Sequence, residues 1–237
     1  MKALIFAAGK GTRLKPFTDR HPKALVLVNG ISLLERNIKY LQSFGINKFV
    51  INIHYFGDQI LKFLKKNHNF GCEIQISDEY IELLETGGGL LFARQFLENE
   101  EDFLIMNVDI LTNLDLNKFI KFHQFRKEMV TLAVSDRKSS RKLLFDENQI
   151  LKGWKNIETG EQRSTEFNKN FKELSFSGIH CMKSEFFKLI RRQGKFSITE
   201  EYLDLMKMIN IIGYQHNADL IDVGKPESIL EAEKLFL

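Results

Sequence analysis

The chain has 237 residues, 43% of them hydrophobic and 27% charged, an ordinary balance for a folded α/β domain that excludes disorder as its default state. A formal charge of +3 with basic residues spread along the chain gives no ground for nucleic-acid binding, and Cys72 and Cys181 stand too far apart for a zinc site or a disulfide framework. No long apolar segment or cleavage site opens the sequence, so neither membrane insertion nor secretion is expected, and a cytoplasmic location is.

Residues 3–7 form a short apolar run that reads as a buried strand. Gly9 and Gly11 follow it, two positions where the backbone can take positive φ and turn successive N–H groups toward an anion. Lys10, Arg13, Lys15, Arg20 and Lys23 add fixed positive charge, so the stretch suits a polyanion. It is neither a Walker loop, which needs Gly, four residues, then Gly-Lys-Ser/Thr, nor a dinucleotide fingerprint, whose third glycine is replaced here by Leu14. Residues 25–28 and an Asn29-Gly30 turn lead to Ser32, which with Glu35 forms a capping box. The spacing of Leu33, Leu34, Ile38 and Leu41 predicts a helix ending at Gly45. Strands are expected at 49–53 and 72–77, with a helix over 57–67 between them. This rhythm predicts a mostly parallel, Rossmann-like sheet wound with helices.

Glu85-Thr86-Gly87-Gly88-Gly89 is expected to open an apolar helix from Leu90 to Phe96, with the bare glycine backbone lying against a ligand. A strand over 103–106 ends at Asn107-Val108-Asp109, which places Asp109 where open α/β sheets bind ligands. Asp115 caps a helix over 116–127, and a fifth strand covers 130–134. From 136 the pattern changes. A hairpin around Glu147-Asn148, a polar, mobile loop over 156–173 and a strand over 174–180 suggest a small antiparallel lobe over 136–182. Helices follow near 184–193 and 199–209. Short strands at 211–216 and 220–223 deliver Asp222 just before Gly224-Lys225-Pro226-Glu227, whose proline starts the last helix. Magnesium takes oxygen ligands, usually one or two carboxylates beside phosphate oxygens, and Asp109 with Asp222 is the pair expected to hold it.

The order Ala-Ala-Gly-x-Gly-Thr-Arg-Leu-x-Pro-x-Thr over residues 7–18, with Pro-Lys-x-Leu at 22–25, resembles the signature of the sugar-1-phosphate nucleotidyltransferases. Weaker matches lie at 85–89, 107–109, 176–179 and 222–226, so the resemblance covers nearly the whole chain. It is strongest to the short branches acting as N-acetylmuramate-1-phosphate uridylyltransferases or mannose-1-phosphate guanylyltransferases. It implies one nucleotidyltransferase domain, with a nucleotide-binding half at 1–135 and, at 136–237, the sugar-binding lobe and the second metal aspartate. It also implies Mg2+ on Asp109 and Asp222. Arg13 would hold the triphosphate, with Gly11 and Thr12 donating backbone N–H groups, and Lys23 would sit near the α-phosphate and the incoming sugar phosphate. Ala8, Gly9 and Gly88 would frame the base and ribose, while Thr86, Asn107, Ser177 and Gly178 are candidates for sugar contacts. Val108 departs from the glycine usual before the metal aspartate.

The implied partners are an NTP, with UTP favoured and GTP or CTP possible, and a sugar 1-phosphate. The leading expectation is transfer of UMP to N-acetylmuramate 1-phosphate. Guanylyl transfer to mannose or heptose 1-phosphate is the alternative within the family. Two readings from other classes stand beside it: a nucleotide-binding protein without turnover, prompted by Val108 and the lack of a Glu-Lys-Pro segment, and a nicotinamide-dependent oxidoreductase, prompted only by the strand and helix rhythm. The sequence sets no oligomeric state, because no long apolar stripe stands free of the core.

Overall fold

The structure is a computed structural model that describes residues 1–166 and 170–236. In chain order its strands begin with β1 (Lys2–Phe6), β2 (Leu27–Val28) and β3 (Ile31–Ser32). Helix α1 (Leu33–Ser43) precedes β4 (Lys48–Ile53), and α2 (Gly57–Lys66) precedes β5 (Glu73–Asp78). Next come α3 (Glu85–Phe92), α4 (Arg94–Leu97), β6 (Asp102–Asn107), β7 (Ile110–Thr112) and α5 (Leu116–Arg126). The second half holds β8 (Val130–Ser135), β9 (Arg141–Phe145), β10 (Leu151–Asn156), β11 (Gln162–Ser164) and β12 (Lys172–Lys183). It closes with α6 (Ile198–Leu205), β13 (Ile211–Gln215), β14 (Leu220–Asp222) and α7 (Pro226–Leu235).

Parallel pairing links β5, β4, β1 and β6 in that order. β12 then runs antiparallel to β6 and to β8, and β13 is parallel to β8. The mostly parallel, Rossmann-like sheet read from the strand rhythm is therefore present, with β12 as its reversed member. Successive residues of β1 serve opposite faces: Ala3 and Ile5 join one core with Leu34, Ile60, Phe119 and Ile229, whereas Leu4 and Phe6 join another with Leu90, Ile198 and Tyr202. Burial on both faces explains why these strands read as unbroken apolar runs.

The chain leaves β1 toward β4 on one side, and β6 lies on the other. Their carboxyl ends thus border a topological switch point, where such sheets open a crevice for ligands. Beyond it, the amino-terminal end of β12 pairs with β9, which continues through β10 to β11 as a small antiparallel extension. A register shift between Phe176 and His180 bends β12, and Gly178 sits in that bulge at φ 71°.

Several local expectations are corrected. The three glycines lie inside α3 rather than ahead of it, and the helix breaks at Ala93. Added Cβ atoms would come within 2.3 Å of the Phe196 ring at Gly87 and 2.2 Å of the Gly194 carbonyl at Gly88. Close packing accounts for the run more than contact with a ligand: Gly87 and Gly88 lie against the 194–196 segment, and a Cβ at Gly89 would come within 2.5 Å of Glu79 Oε1. The helix expected near 184–193 is a single 3-10 turn, Ser184–Lys188, and the one expected over 199–209 is α6. The polar stretch 156–173 contains β11 and the start of β12; its residues 167–169 lie outside those described. β7 was not anticipated at all. It is only three residues long, and its partner, β14, lies more than a hundred residues away.

Candidate active site

The loop after β1 is built on two glycines with different duties. Gly11 takes φ 63°, and a Cβ there would lie 2.8 Å from Thr18 Cγ2 and 3.1 Å from Lys23 Cβ, so only glycine fits without displacement. Its carbonyl accepts from the Leu14 N–H at 2.9 Å and from Thr18 Oγ1 at 2.8 Å, which closes the 3-10 turn Thr12–Leu14. Gly9 faces open space, with nothing within 4 Å of a built Cβ. Buried Leu14 anchors the turn while Arg13 is left exposed; Arg13 makes no hydrogen bond or ion pair among the described residues.

A second 3-10 turn, Lys23–Leu25, carries Lys23 inward, and its side chain pairs with the Asp109 carboxylate. Asp109 follows β6 through Val108, whose N–H donates to the Phe6 carbonyl at 3.2 Å and whose carbonyl accepts from buried Asn37 at 2.7 Å. The Val108 side chain turns into the core, so the residue replacing the family's glycine stays anchored while its backbone borders the cavity. Asp222 arrives by the β7–β14 pairing, opposite Ile110, and the Val223 N–H donates to the Asp109 carbonyl at 2.8 Å. That pairing brings together two aspartates distant in sequence.

Burial raises the Asp222 carboxyl above the usual carboxylate range, and the negative charge of Asp109 adds to the effect; Lys23, Arg13 and Arg137 oppose it. Asp222 Oδ1 is buried with no hydrogen-bond partner among the described residues. An orphaned carboxylate oxygen beside a second carboxylate is a donor set suited to a hard divalent cation. No cluster of three or more His, Cys, Asp or Glu exists among the described residues, so protein groups alone would leave such an ion's shell incomplete.

These elements surround a cavity of about 390 Å³, bordered by Ala8, Gly9, Gly11, Thr12, Arg13, Lys23, Asn107 and Asp109. Thr86 also borders it, with its hydroxyl held by the Ile198 N–H at 3.1 Å. A second cavity of about 760 Å³ adjoins, sharing Arg13, Asn107 and Asp109 and bordered further by Asp222 and Gly178. The structure does not bring every candidate to these walls. Gly88 is packed in α3, where its N–H donates to the Phe196 carbonyl at 3.2 Å, and it borders neither cavity. Ser177 is fully buried, and its hydroxyl is bonded to His216 Nε2 at 2.9 Å.

Sequence reading missed Asn52, Glu85, Ser197 and Gly224 in the first cavity, and Arg137, Arg141, Trp154 and Phe176 in the second. Asn52 carried a signal, a polar residue inside an otherwise apolar strand. Glu85 takes φ 62°, an uncommon conformation for a residue with a side chain, at the point where α3 begins beside the cavity. Phe176 and Gly224 fall in the stretches 176–179 and 222–226 that carry the weaker motif matches, and no sequence signal marks Ser197, Arg137, Arg141 or Trp154.

Comparison with known proteins agrees with this arrangement. The Neisseria meningitidis N-acetylmuramate alpha-1-phosphate uridylyltransferase is 29% identical over 99% of this chain and 98% of its own length. The bifunctional protein GlmU of Methanocaldococcus jannaschii is 28% identical over the whole chain, which spans about half (54%) of that relative. Among solved structures, HddC from Yersinia pseudotuberculosis superposes with a TM-score of 0.82 at 23% identity, covering 100% of this chain and 99% of its own, a likeness of fold. Among the described residues no helix is long and apolar enough to cross a membrane. The profile of the nucleotidyl transferase family matches residues 2–143, the stretch that carries the glycine loop, Lys23 and Asp109, and the chain belongs to that family.

Proposed function

We propose that the chain transfers a nucleoside monophosphate from an NTP to a sugar 1-phosphate, releasing pyrophosphate, with UTP and N-acetylmuramate 1-phosphate as the favoured pair. The observation that carries this reading is the convergence of Arg13, Lys23, Asp109 and Asp222 on one crevice at the switch point. The full-length match to the Neisseria uridylyltransferase supports the choice of pair.

A sugar phosphate is already an oxygen nucleophile at neutral pH, so the reaction needs no general base. Holding the attacking oxygen in line with the α-phosphorus and offsetting charge on the departing pyrophosphate supply the rate. Arg13, without a partner among the described residues, would bind the β- and γ-phosphates, and the N–H groups of the 9–12 loop would hold their oxygens. Lys23, paired with Asp109 at the wall of the first cavity, would neutralise the α-phosphate. Asp109 and Asp222 would hold Mg2+, which when bound offsets phosphate charge and orients the oxygens. The acceptor would occupy the larger cavity, with Asn107 and Gly178 at the boundary. This division assigns residues 1–135 chiefly to the nucleotide and 136–237 to the sugar and to Asp222.

The test is pyrophosphate release with Mg2+, using each of the four NTPs against N-acetylmuramate, N-acetylglucosamine, mannose, glucose and heptose 1-phosphates. Release that requires a sugar phosphate and stops on chelation of the metal is expected. NTP binding without release across the whole panel would refute transfer.

A further inference from the structure

The larger cavity has a charge pattern that a neutral sugar does not call for. Its lining includes groups assigned to phosphate and metal, together with Arg137 from the connection between β8 and β9 and Arg141 and Lys142 from the start of β9. Arg137 lies near enough to Asp222 to act on its carboxyl, and Arg141 is exposed. Apart from Asp109 and Asp222, the carboxylate in this lining is Glu200, and it is already engaged, accepting from Arg163 at 2.8 Å.

The three cations are not equally free. Lys142 Nζ donates to the Arg137 carbonyl at 2.8 Å, so it fixes the backbone of this connection. One Arg137 Nη donates to the Phe176 carbonyl at 2.9 Å, which anchors the guanidinium beside the β12 bulge, but its Nε is buried with no partner among the described residues. The Arg141 side chain has no hydrogen bond or ion pair among the described residues. β9 and β10 register Leu143 opposite Trp154 and Arg141 opposite Asn156, so Arg141, Leu143 and Trp154 share one face of the extension. The wall is thus an apolar floor edged by arginines, with donor capacity that the protein does not use.

Unused guanidinium donors in a cavity match a carboxylate in charge and in planar geometry. We infer that the acceptor carries a second anionic group, a carboxylate on the sugar or on a substituent of it, and that Arg141 with Arg137 selects for it. This rests on the transferase reading for the location of the acceptor. It adds the residues that distinguish acidic sugar phosphates from neutral ones of otherwise equal shape. Specificity of this kind arises because a site with polar groups left unpaired rejects the analogue that lacks the partner.

The test separates the inference from the reading beneath it by measuring binding apart from turnover. N-acetylmuramate 1-phosphate and N-acetylglucosamine 1-phosphate differ by one carboxylate-bearing ether. Their affinities are measured by calorimetry, with Mg2+ and non-hydrolysable analogues of each NTP present. The acidic sugar should bind about ten- to a hundredfold more tightly, the range expected for charge-assisted hydrogen bonds. Arg141→Gln should reduce that ratio with an unchanged melting temperature, and Arg137→Gln should reduce it further. Glucuronate 1-phosphate, acidic at another position on the ring, shows whether the charge alone or its placement is read. Equal binding of the acidic and neutral sugars, binding of neither, or a ratio untouched by Arg141→Gln overturns the inference. Absence of pyrophosphate release despite selective binding would instead count against transfer alone.

Discussion

Lys23→Met removes a cation whose side chain is only 10% exposed and whose partner, Asp109, is 20% exposed. Breaking a fully buried ion pair by deleting one partner costs about 3–5 kcal/mol, because the remaining charge stays desolvated. Asp109 still reaches water and can recover part of its hydration, so the cost here is about 1–2 kcal/mol after that discount. For a chain of this size that corresponds to a melting temperature lower by roughly 2–8 °C. The catalytic loss should be larger and separable from it. Losing one preorganised charge donor at the reacting phosphate lowers kcat by about two to three powers of ten. Adding Asp109→Asn removes the stranded charge, so the double variant should recover stability relative to Lys23→Met without recovering turnover. Pyrophosphate release under saturating substrates gives kcat, and thermal denaturation gives the stability arm. A kcat for Lys23→Met equal to that of the unaltered protein would refute the placement of Lys23 at the chemistry. A double variant no more stable than Lys23→Met would refute the stranded-charge account of the cost.

Arg13→Ala should lower kcat by about a hundredfold or more while leaving the melting temperature unchanged, since Arg13 has no protein partner among the described residues; a stability loss without a rate loss would reverse that assignment. Gly178→Ala places a side chain at φ 71° with its Cβ 2.6 Å from Ile110 Cγ1 and 3.1 Å from Asn107 Nδ2. It should cost about 1–3 kcal/mol and raise KM for the sugar phosphate more than for the NTP, which steady-state kinetics would check. His180, fully buried against Tyr202, has its imidazole pushed down to about 3 by burial. Below the ordinary histidine value the unfolded chain takes up a proton that the folded one refuses, so stability falls as pH drops from about 6.5, by up to about 3 kcal/mol near pH 4. His180→Asn should flatten that part of a melting-temperature profile, and an unchanged slope would show that other groups dominate acid unfolding.

The early part of the chain was legible because its information is local. A five-residue apolar strand, two glycines with an arginine behind them, and the Ser32 and Glu35 pair that begins α1 each depend on neighbours within a few positions. The glycine loop with its cations and the aspartate at the end of β6 were readable in this way, and in the structure Gly11, Arg13, Lys23 and Asp109 border one crevice. The glycine run at 87–89 shows the converse: glycine permits close approach, but only the fold says what approaches, and here it is the 194–196 segment at Gly87 and Gly88 and the Glu79 carboxylate at Gly89. Ser177 reads as a polar residue in a strand, and only the position of His216, reached through a parallel partner of β8, turns it inward. Asp222 could be named from its motif, but its nearness to Asp109 depends on a three-residue pairing between β7 and β14, too short to leave any periodicity. Arg137 and Arg141 carried no mark at all, because a surface arginine and an arginine at a cavity wall look the same until β9, β10 and the β12 bulge fold around it. Sequence determined the elements and the residue types able to do the chemistry; long-range pairing, which has no local signature, decided which of them meet.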